Sequence, residues 1–426
     1  MPMICPRMAT KSERTLLLKE APDWEVRQFS SEKELREGWP ARERADDFWL
    51  RPEVLAFLIN QPQGLTTDVL ILENLRDHRR ILLTAQTFHF NAGGQVSDAA
   101  KGETSAYDFR RRLLAPFSFK ILALGQFLVS GNYAAEGLDR LSTSEAVRVL
   151  PALANTLMAR SHAYAGVLLK DLHLATHSVS RELQGKGFYL LPADPVMEVS
   201  IPENWETLDD YLQAIKSKYR VRYRRARSKL DGIHRRLLLP GEVKKLRDRI
   251  FELYQQTMSG ADFHAAALTP EYFPWLSNYR QLQANQVQMA GFPEELIPVE
   301  QAGRAAHLHG YFNSAGTLIG FTSAIHNGET MHAHFLGMED KYKRSHHLYH
   351  NMLFDLLEEA IVGGFRKLDY ARTAPEIKSS VGAVPVDYAC LLKIRPRLVN
   401  KLVPVFAPAI YASPEWIPRN PFPKGD

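Results

Sequence analysis

The sequence predicts a mixed α/β (α+β) protein with mixed sheets, divided into two domains. Its 426 residues are more than one hydrophobic core usually organises. Segments of alternating or β-branched residues recur along the chain with helical segments between them, which is typical of mixed sheets. The same order of segments occurs twice, on either side of a proline-containing stretch at residues 192–204. We therefore expect one domain over residues 1–200 and a second over residues 201–426.

In the first half, alternating residues predict strands over residues 68–73, 80–91 and 119–130. Residues 144–160 are expected to form a helix, because their apolar side chains recur at helical spacing. Pro151 lies inside this segment, so the helix either kinks or begins there. Residues 165–169 predict the strand that follows.

The second half repeats this order. Three strands are predicted, over residues 305–312, 318–326 and 330–336. Asn327-Gly328 joins the last two, and this dipeptide favours tight hairpins because it adopts positive φ angles readily. A helix is predicted over residues 347–362, ending at Gly363-Gly364, and then a strand over residues 367–373. The seven prolines after Arg395 predict an irregular tail packed on a domain.

Composition and charge restrict the class of protein. The hydrophobic share of 45% and the charged share of 24% are ordinary for a soluble globular protein and argue against a disordered chain. No apolar run approaches the ~18 residues of a membrane span, and no signal peptide is evident, so we expect a cytoplasmic protein. Cys5 and Cys390 lie far apart and form no metal-binding pattern. The net charge of +5 favours anionic partners.

The most distinctive segment covers residues 208–230 and predicts one long helix. Thr207 and Asp210 form a start that resembles a capping box. Its apolar and tyrosine residues predict a buried stripe that contains Leu208, Tyr211, Leu212, Ile215, Tyr219, Tyr223, Ala226 and Leu230. Off this stripe lie eight cations without an acidic residue among them, namely Lys216, Lys218, Arg220, Arg222, Arg224, Arg225, Arg227 and Lys229. Such mutual repulsion favours an anionic partner over a solvated face.

Together these segments resemble the GNAT superfamily, and within it the tandem, Fem-like branch. The resemblance is carried by residues 211–230, 307–338, 346–364 and 368–382, about half of the chain; the N-terminal half shares only the order of elements. It implies two GNAT-like domains in tandem, the second an acyltransferase domain and the first a degenerate partner. It also implies acyl-CoA as cosubstrate, an amine acceptor in the cleft between the halves, and no permanently bound cofactor.

In such a fold, splayed strand ends bind the pantetheine arm, and the next helix N-terminus binds the pyrophosphate. The cofactor-binding candidates that follow from the resemblance are Leu336, Gly337, Lys343, Arg344, Ser345, His346 and Lys378. The anion-binding candidates on the basic helix are Arg220, Arg222, Arg224 and Arg225. Residues 341–346 lack the glycines of the usual GNAT phosphate loop, so an aminoacyl-tRNA donor, as in Fem-like relatives, stays open.

The acceptor amine must lose a proton when it attacks, so a general base is expected. The histidines at 307, 309, 332 and 334 are candidates, and for each a structural role is the alternative. We favour His334, which lies near the end of its strand and closest to the expected acyl carbonyl. Glu329, Asp369 and Tyr370 are the other catalytic candidates.

The two His-x-His pairs also suggest metal binding, because side chains two apart on a strand share a face. However, the two strands are not adjacent in the expected sheet, and no cysteine or carboxylate cluster completes a site. We therefore expect no metal.

We predict an N-acyltransferase that transfers an acyl group from acyl-CoA to an amine. One alternative is a Fem-like aminoacyltransferase that uses aminoacyl-tRNA and acts on a peptide or peptidoglycan precursor. The other is a non-catalytic basic module that binds RNA or an anionic membrane through residues 216–229, which would make the protein peripheral to the membrane.

Overall fold

The computed structural model describes residues 15–38, 47–91, 118–160, 163–171, 177–258, 267–279, 305–395, 398–401, 403–404 and 415–423. Within these ranges the chain forms two mixed β-sheets with helices packed on their faces. The predicted mixed α/β class is confirmed. No helix in the described ranges has the length and apolar character that a membrane crossing requires.

The strands of the first half are β1 (Thr15–Leu18), β2 (Ala21–Phe29), β3 (Thr66–Asn74), β4 (Arg80–Asn91), β5 (Ser118–Leu124), β6 (Ala135–Glu136), β7 (Tyr164–Lys170) and β8 (Tyr189–Leu191). Its helices are α1 (Glu32–Gly38), α2 (Pro52–Asn60), α3 (Thr143–Arg160) and α4 (His177–Gly185).

The later strands are β9 (Val196–Ser200), β10 (His234–Leu237), β11 (Ala306–Phe312), β12 (Leu318–Asn327), β13 (Thr330–Met338), β14 (Lys367–Asp369), β15 (Val384–Val386) and β16 (Cys390–Ile394). The later helices are α5 (Leu208–Ala214), α6 (Ser217–Arg227), α7 (Pro240–Lys245), α8 (Arg247–Met258), α9 (Tyr272–Asn278), α10 (Asp340–Ser345), α11 (Leu348–Val362) and α12 (Pro375–Ser379). Single 3₁₀ turns lie at Phe48–Leu50, Leu138–Arg140 and Ser228–Leu230.

The two sheets share one pattern of connections. In the first, β3, β4 and β5 are antiparallel, α3 follows, and β7 pairs parallel to β5. In the second, β11, β12 and β13 are antiparallel, α11 follows, and β14 pairs parallel to β13. The repeat predicted from the sequence is confirmed: each half contains three antiparallel strands, a helix and a strand parallel to the third.

Two strands cross between the halves. The first sheet has the order β1-β2-β3-β4-β5-β7-β16-β8, so β16 from the end of the chain lies between β7 and β8. The second has the order β10-β11-β12-β13-β14-β9-β15, so β9 lies between β14 and β15. The division of the chain at residue 200 stays a prediction.

The basic segment is two helices rather than the single helix predicted. The capping box of Thr207 and Asp210 is present at the start of α5. Ile215 and Lys216 then adopt extended backbone angles, and α6 begins at Ser217. The break coincides with a contact to the C-terminal segment, because the Lys216 N–H donates to the Pro421 carbonyl at 2.8 Å.

Two other elements differ from their predicted form. Helix α3 continues through Pro151 without a break in its assigned span. Strand β14 contains only three residues, because the chain turns into left-handed conformations at Ala371, Thr373 and Ala374. The residues 415–423 are irregular, and Trp416 and Phe422 pack on the core between the second sheet and α11.

Candidate active site

The second sheet opens into a fork between β13 and β14. These strands pair only through Thr330 with Lys367, Met331 with Leu368 and His332 with Asp369. Strand β13 continues to Met338, and among the described residues no strand pairs with it on that side beyond His332. Residues 333–336 are each half-buried in a strand that is otherwise buried. We call this open edge, residues 333–336, the fork groove.

A β-bulge shapes the groove. Thr322 pairs with Leu336 and Ala324 with Ala333, so two residues of β13 face the single residue Ser323. The Ser323 hydroxyl accepts from the Phe335 N–H at 2.9 Å and donates to the Phe335 carbonyl at 2.8 Å. Bulges bend a strand and re-aim its side chains. The His334 and Phe335 rings are consequently neighbours, with centroids 4.3 Å apart.

His334 lies in this groove among aromatic rings. Its Nε2 is 2.6 Å from the Tyr272 hydroxyl, and the Trp49 ring lies 5.3 Å away. Burial raises the pKa of Tyr272 well above its usual value, so Tyr272 keeps its proton and donates to His334. Burial also lowers the pKa of His334 well below its usual value, with His332 adding to the effect. His334 is therefore a neutral imidazole at neutral pH, with its own proton on Nδ1.

Asp369 lies at the base of the fork instead of inside the groove. Its Oδ2 is 3.1 Å from His332 Nδ1, and its Oδ1 accepts from the Ala371 N–H at 2.6 Å. His332 and Asp369 are both buried, and the Tyr133 ring covers His332 edge-on. This bond joins the last paired residues before the strands separate, so it fixes where the fork begins.

The structure separates two predicted catalytic candidates from His334. Tyr370 is buried, and its hydroxyl donates to the Leu353 carbonyl in α11 at 2.5 Å. Glu329 is exposed in the turn between β12 and β13, at the end of β13 away from the fork groove. Neither side chain therefore lines the groove.

The predicted phosphate-binding residues lie in a helix of their own. Lys343, Arg344 and Ser345 form the exposed last turn of α10, whereas α11 begins only at Leu348. The expectation that they open the helix ending at Val362 is wrong, because His347 takes a left-handed conformation and separates the two helices. Basic side chains in a last turn are also favoured by the helix dipole.

The neighbouring candidates Ser345, His346 and Gly337 have local structural partners. Ser345 Oγ lies 2.8 Å from His346 Nδ1 and also contacts the Lys341 carbonyl. Gly337 is buried against α8, where an added Cβ would meet the Leu253 backbone at 2.6 Å. Of the predicted contacts along β13, Leu336 alone lies in the fork groove.

The basic helix lies beside the N-terminus of α11. The Asn351 side chain donates to the Ala226 carbonyl of α6 at 2.9 Å and to the His347 carbonyl at 3.2 Å. Burial, and to a smaller extent the neighbouring His347 and Arg222, lower the pKa of His350 to about 4. The first N–H groups of α11, at residues 348–350, lack partners within the helix. These N–H groups and Arg222 thus form one electropositive surface.

The cations of α6 are not all available to a ligand. Arg222, Arg224 and Arg225 are exposed, as predicted. Arg227, in contrast, is paired with Asp355. Arg220 donates to the Ile215 carbonyl and so caps α5. The predicted stripe is confirmed where Tyr211, Ile215 and Tyr219 are buried in the core against α11.

Lys378 is buried behind the fork. Its ammonium donates to the Ala371 carbonyl at 3.3 Å and to the Arg372 carbonyl at 2.5 Å. Burial lowers the pKa of Lys378 to about 7, although Asp369 and Asp194 oppose the shift. Lys378 therefore supports the left-handed loop after β14 and does not project from the surface.

Sequence reasoning did not find Tyr272, Trp49 or Ser323, the residues that shape the surroundings of His334. Tyr272 stands 62 residues before His334 and Trp49 lies in the other half. Ser323 is an ordinary strand residue in the sequence, so no pattern marks it.

No protein-family model matches the sequence, and no curated protein matches it. Solved structures with a similar arrangement of strands and helices include FemX, at 9% identity over 79% of this chain and 90% of that chain, with a TM-score of 0.45. A tandem GNAT protein from the clavulanic acid biosynthesis pathway is 12% identical over 80% of this chain and 86% of its own, with a TM-score of 0.40. L-PGS from Bacillus licheniformis is 9% identical over 68% of this chain and 85% of its own, with a TM-score of 0.39.

Proposed function

We propose that this protein is an acyltransferase that holds an activated acyl group in the fork groove and transfers it to an amine. The observation that carries the proposal is the fork itself. The pairing of β13 with β14 ends at His332, while residues 333–336 remain half-buried along an open strand edge. An extended donor arm can bind such an edge through backbone hydrogen bonds.

We further propose acyl-CoA as the donor. Its phosphates would bind the electropositive surface formed by the first N–H groups of α11 and by Arg222. Free N–H groups, the helix dipole and a guanidinium all favour the same anion. This surface replaces the site expected at residues 343–346, since α11 begins after them.

His334 is the proposed proton acceptor. When the amine attacks the thioester carbonyl, its nitrogen forms a bond to carbon and becomes acidic. Its proton passes to His334 Nε2, as the Tyr272 hydroxyl, 2.6 Å away, turns from donor to acceptor in the hydrogen bond between them. Collapse of the tetrahedral intermediate breaks the carbon–sulfur bond, and the proton returns to the departing thiolate. The low pKa of His334 leaves the imidazole neutral beforehand and lets it return the proton readily to the thiolate.

The test is a transfer assay with acyl-CoAs of several chain lengths and a panel of amines, read by mass spectrometry. His334→Ala should lower kcat by ~10²–10⁴ with little change in donor affinity, because proton transfer acts in the transition state. His234→Ala is the control, since His234 is exposed on β10. Unchanged turnover in folded His334→Ala would remove the proposed base. Absence of transfer from every acyl-CoA would exclude this donor class.

A second candidate donor is aminoacyl-tRNA, and one observation favours it. With Arg222, the exposed Arg224 and Arg225 give α6 more cationic side chains than one pyrophosphate requires. A charged tRNA in the same assay tests this candidate. Its binding should weaken steeply with salt, because many phosphates release counterions on binding.

A further inference from the structure

Two histidines of β11 meet a glutamate of α11 on the sheet face that this helix covers. His307 Nε2 lies 2.7 Å from Glu359 Oε2, and His309 Nδ1 lies 3.2 Å from Glu359 Oε1. The three potential ligand atoms lie within 4.8 Å of one another. The sequence pattern showed no cysteine or carboxylate cluster that completes a site at a His-x-His pair, and α11 brings one carboxylate to this pair from 52 residues after His307.

One buried polar atom beside this cluster, Thr322 Oγ1, has no hydrogen-bond partner among the described residues. His309 Nδ1 and Glu359 Oε1 lie 3.2 Å apart without hydrogen-bond geometry, and Arg235 also contacts Glu359 Oε1. Thr322 is the cross-strand partner of His309, so the two side chains share one face of the sheet. A buried polar atom without a protein partner usually binds a water molecule or an ion. The two imidazoles beside one carboxylate are a ligand set that suits a cation.

The charged side chains around the cluster carry a net negative charge, which favours binding of a cation. Arg235 contacts Glu359 and lies 3.7 Å from Asp355. Arg227 contacts Asp355 and lies 3.7 Å from Glu358. In this set three carboxylates face two guanidinium groups, which leaves one excess negative charge. Arg235 lies on the edge strand β10, so it can pair with Asp355 alone when Glu359 binds another cation.

We propose that His307, His309 and Glu359 bind a divalent metal ion of the zinc class, which ties α11 to β11. Two imidazole nitrogens and one carboxylate oxygen are a common zinc ligand set, with water completing a tetrahedron. Zinc bonds of about 2.0–2.1 Å place neighbouring tetrahedral ligand atoms roughly 3.3 Å apart. The 3.2 Å separation of His309 from Glu359 is close to this value, and the 2.7 Å separation at His307 must widen modestly. Thr322 Oγ1 is available to hydrogen-bond the water.

This site is separate from the proposed transfer chemistry. Glu359 lies in the last turn of α11, whereas the proposed anion-binding surface lies at its first turn. At 1.5 Å per residue, the helix separates Leu348 from Glu359 by about 16 Å. The metal therefore has a structural role, fixing the helix whose N-terminus faces the donor.

The test uses the full-length protein stripped of metal with a chelator and then titrated with CoCl₂ or ZnCl₂. We expect one equivalent of Co²⁺ to bind with the visible absorption of a four-coordinate ion. Excess Zn²⁺ at 100 times its Kd should raise the melting temperature by roughly 5 °C. Glu359→Gln preserves the side-chain shape and should weaken binding by ~100-fold or more, because even second-shell changes cost 10–100-fold.

Two further variants test the competing cation and the specificity of metal binding. Arg235→Gln removes the competing cation and retains all three ligands, so it should bind Co²⁺ more tightly than the wild type. His234→Ala changes an exposed histidine of the same region and should bind as the wild type does. The proposal is overturned if neither the wild type nor Arg235→Gln binds Co²⁺. Equal binding by folded Glu359→Gln would overturn it as well.

Discussion

His332 and His334 lie two residues apart on β13 yet have different surroundings. His332 is buried and bonded to Asp369, whereas His334 lies in the fork groove and accepts from Tyr272. The bulge opposite Ser323 explains the difference, because it redirects the strand directly after the last residue paired with β14. One histidine thus holds the fork together, and the other is available for proton transfer.

Lys378 gives a prediction about stability and pH. Its folded-state pKa of about 7 lies below the ordinary value of 10.5, so between these values the unfolded chain binds more protons. Stability contributed by this group therefore rises with pH across that window and is constant below it. From pH 7 to 8.5 the wild type should gain about 1.5 kcal/mol relative to Lys378→Met. Urea unfolding of both proteins at the two pH values measures this difference.

The Lys378 test compares how the free energy of unfolding changes with pH in the two proteins, and not its absolute value. Lys378→Met also loses two hydrogen bonds to backbone carbonyls, so its stability differs at every pH. Parallel pH dependence in the two proteins would mean that Lys378 stays charged in the folded state.

For individual side chains, the sequence indicates the residue type but not the partner that it contacts. Spacing alone identified His334 and Asp369 as candidates near a strand end. It could not show that Asp369 pairs with His332, because that contact depends on where β14 stops. Nor could it find Glu359 beside His307 and His309, since helical periodicity does not tell which strand a buried carboxylate meets.

The neighbouring helices α6 and α11 lead to a prediction about anion binding. Arg222→Glu should lower acyl-CoA affinity several-fold or more at low salt, because Arg222 lies beside the N-terminus of α11. Arg344→Glu should have a smaller effect, since Arg344 belongs to the last turn of α10. Isothermal titration at two salt concentrations measures both, and the loss should shrink at the higher one.

A matched control for these variants is Lys33→Glu, on the exposed surface of α1 in the first half. It makes the same change in net charge away from α11. If Arg344→Glu loses as much affinity as Arg222→Glu, the phosphates bind nearer α10 than we propose. If Lys33→Glu loses as much, the effect is one of overall charge.

Most helices and strands were predictable because apolar periodicity reports which face is buried. Strand β4 has the predicted bounds, and α11 begins one residue later than predicted. The break between α5 and α6 was not predictable, because Ile215 fits the apolar stripe of either a continuous or a broken helix. Its cause lies in the C-terminal segment, where Pro421 contacts Lys216.

For the whole molecule, the exchange of strands predicts that the halves depend on each other. A chain ending at residue 389 lacks β16, so β7 and β8 lose their shared partner and Leu391 leaves the first core. Hydrogen exchange in β7 should accelerate by orders of magnitude in this truncation. The measurement is peptide-resolved exchange by mass spectrometry.

The matched control is a chain ending at residue 394, which retains β16 and loses the same C-terminal segment beyond it. Protection of β7 should persist in this longer truncation. Equal loss of protection in both would show that residues after 394, and not β16, stabilise the first sheet.

Contacts across the halves add to this dependence. The Phe48 N–H donates to the Asn327 side chain at 2.7 Å, and the Asn327 side chain donates to Asp47 at 3.0 Å. Arg372, next to the fork, pairs with the buried Asp171 at the end of β7. Sequence patterns showed two similar halves but could not show these links, because each one joins residues from different repeats.

The position of β16 constrains the order of events while the chain is being synthesised. Strand β8 ends at Leu191 and its partner β16 ends at Ile394, so roughly 200 residues must follow before the first sheet can close. At ribosomal rates of about 5–20 residues per second, this takes roughly 10–40 s. Throughout that time the edge of β7 is an unpaired template for other strands. We therefore expect this edge to be a site where other strands, or a chaperone, bind the nascent chain until β16 emerges.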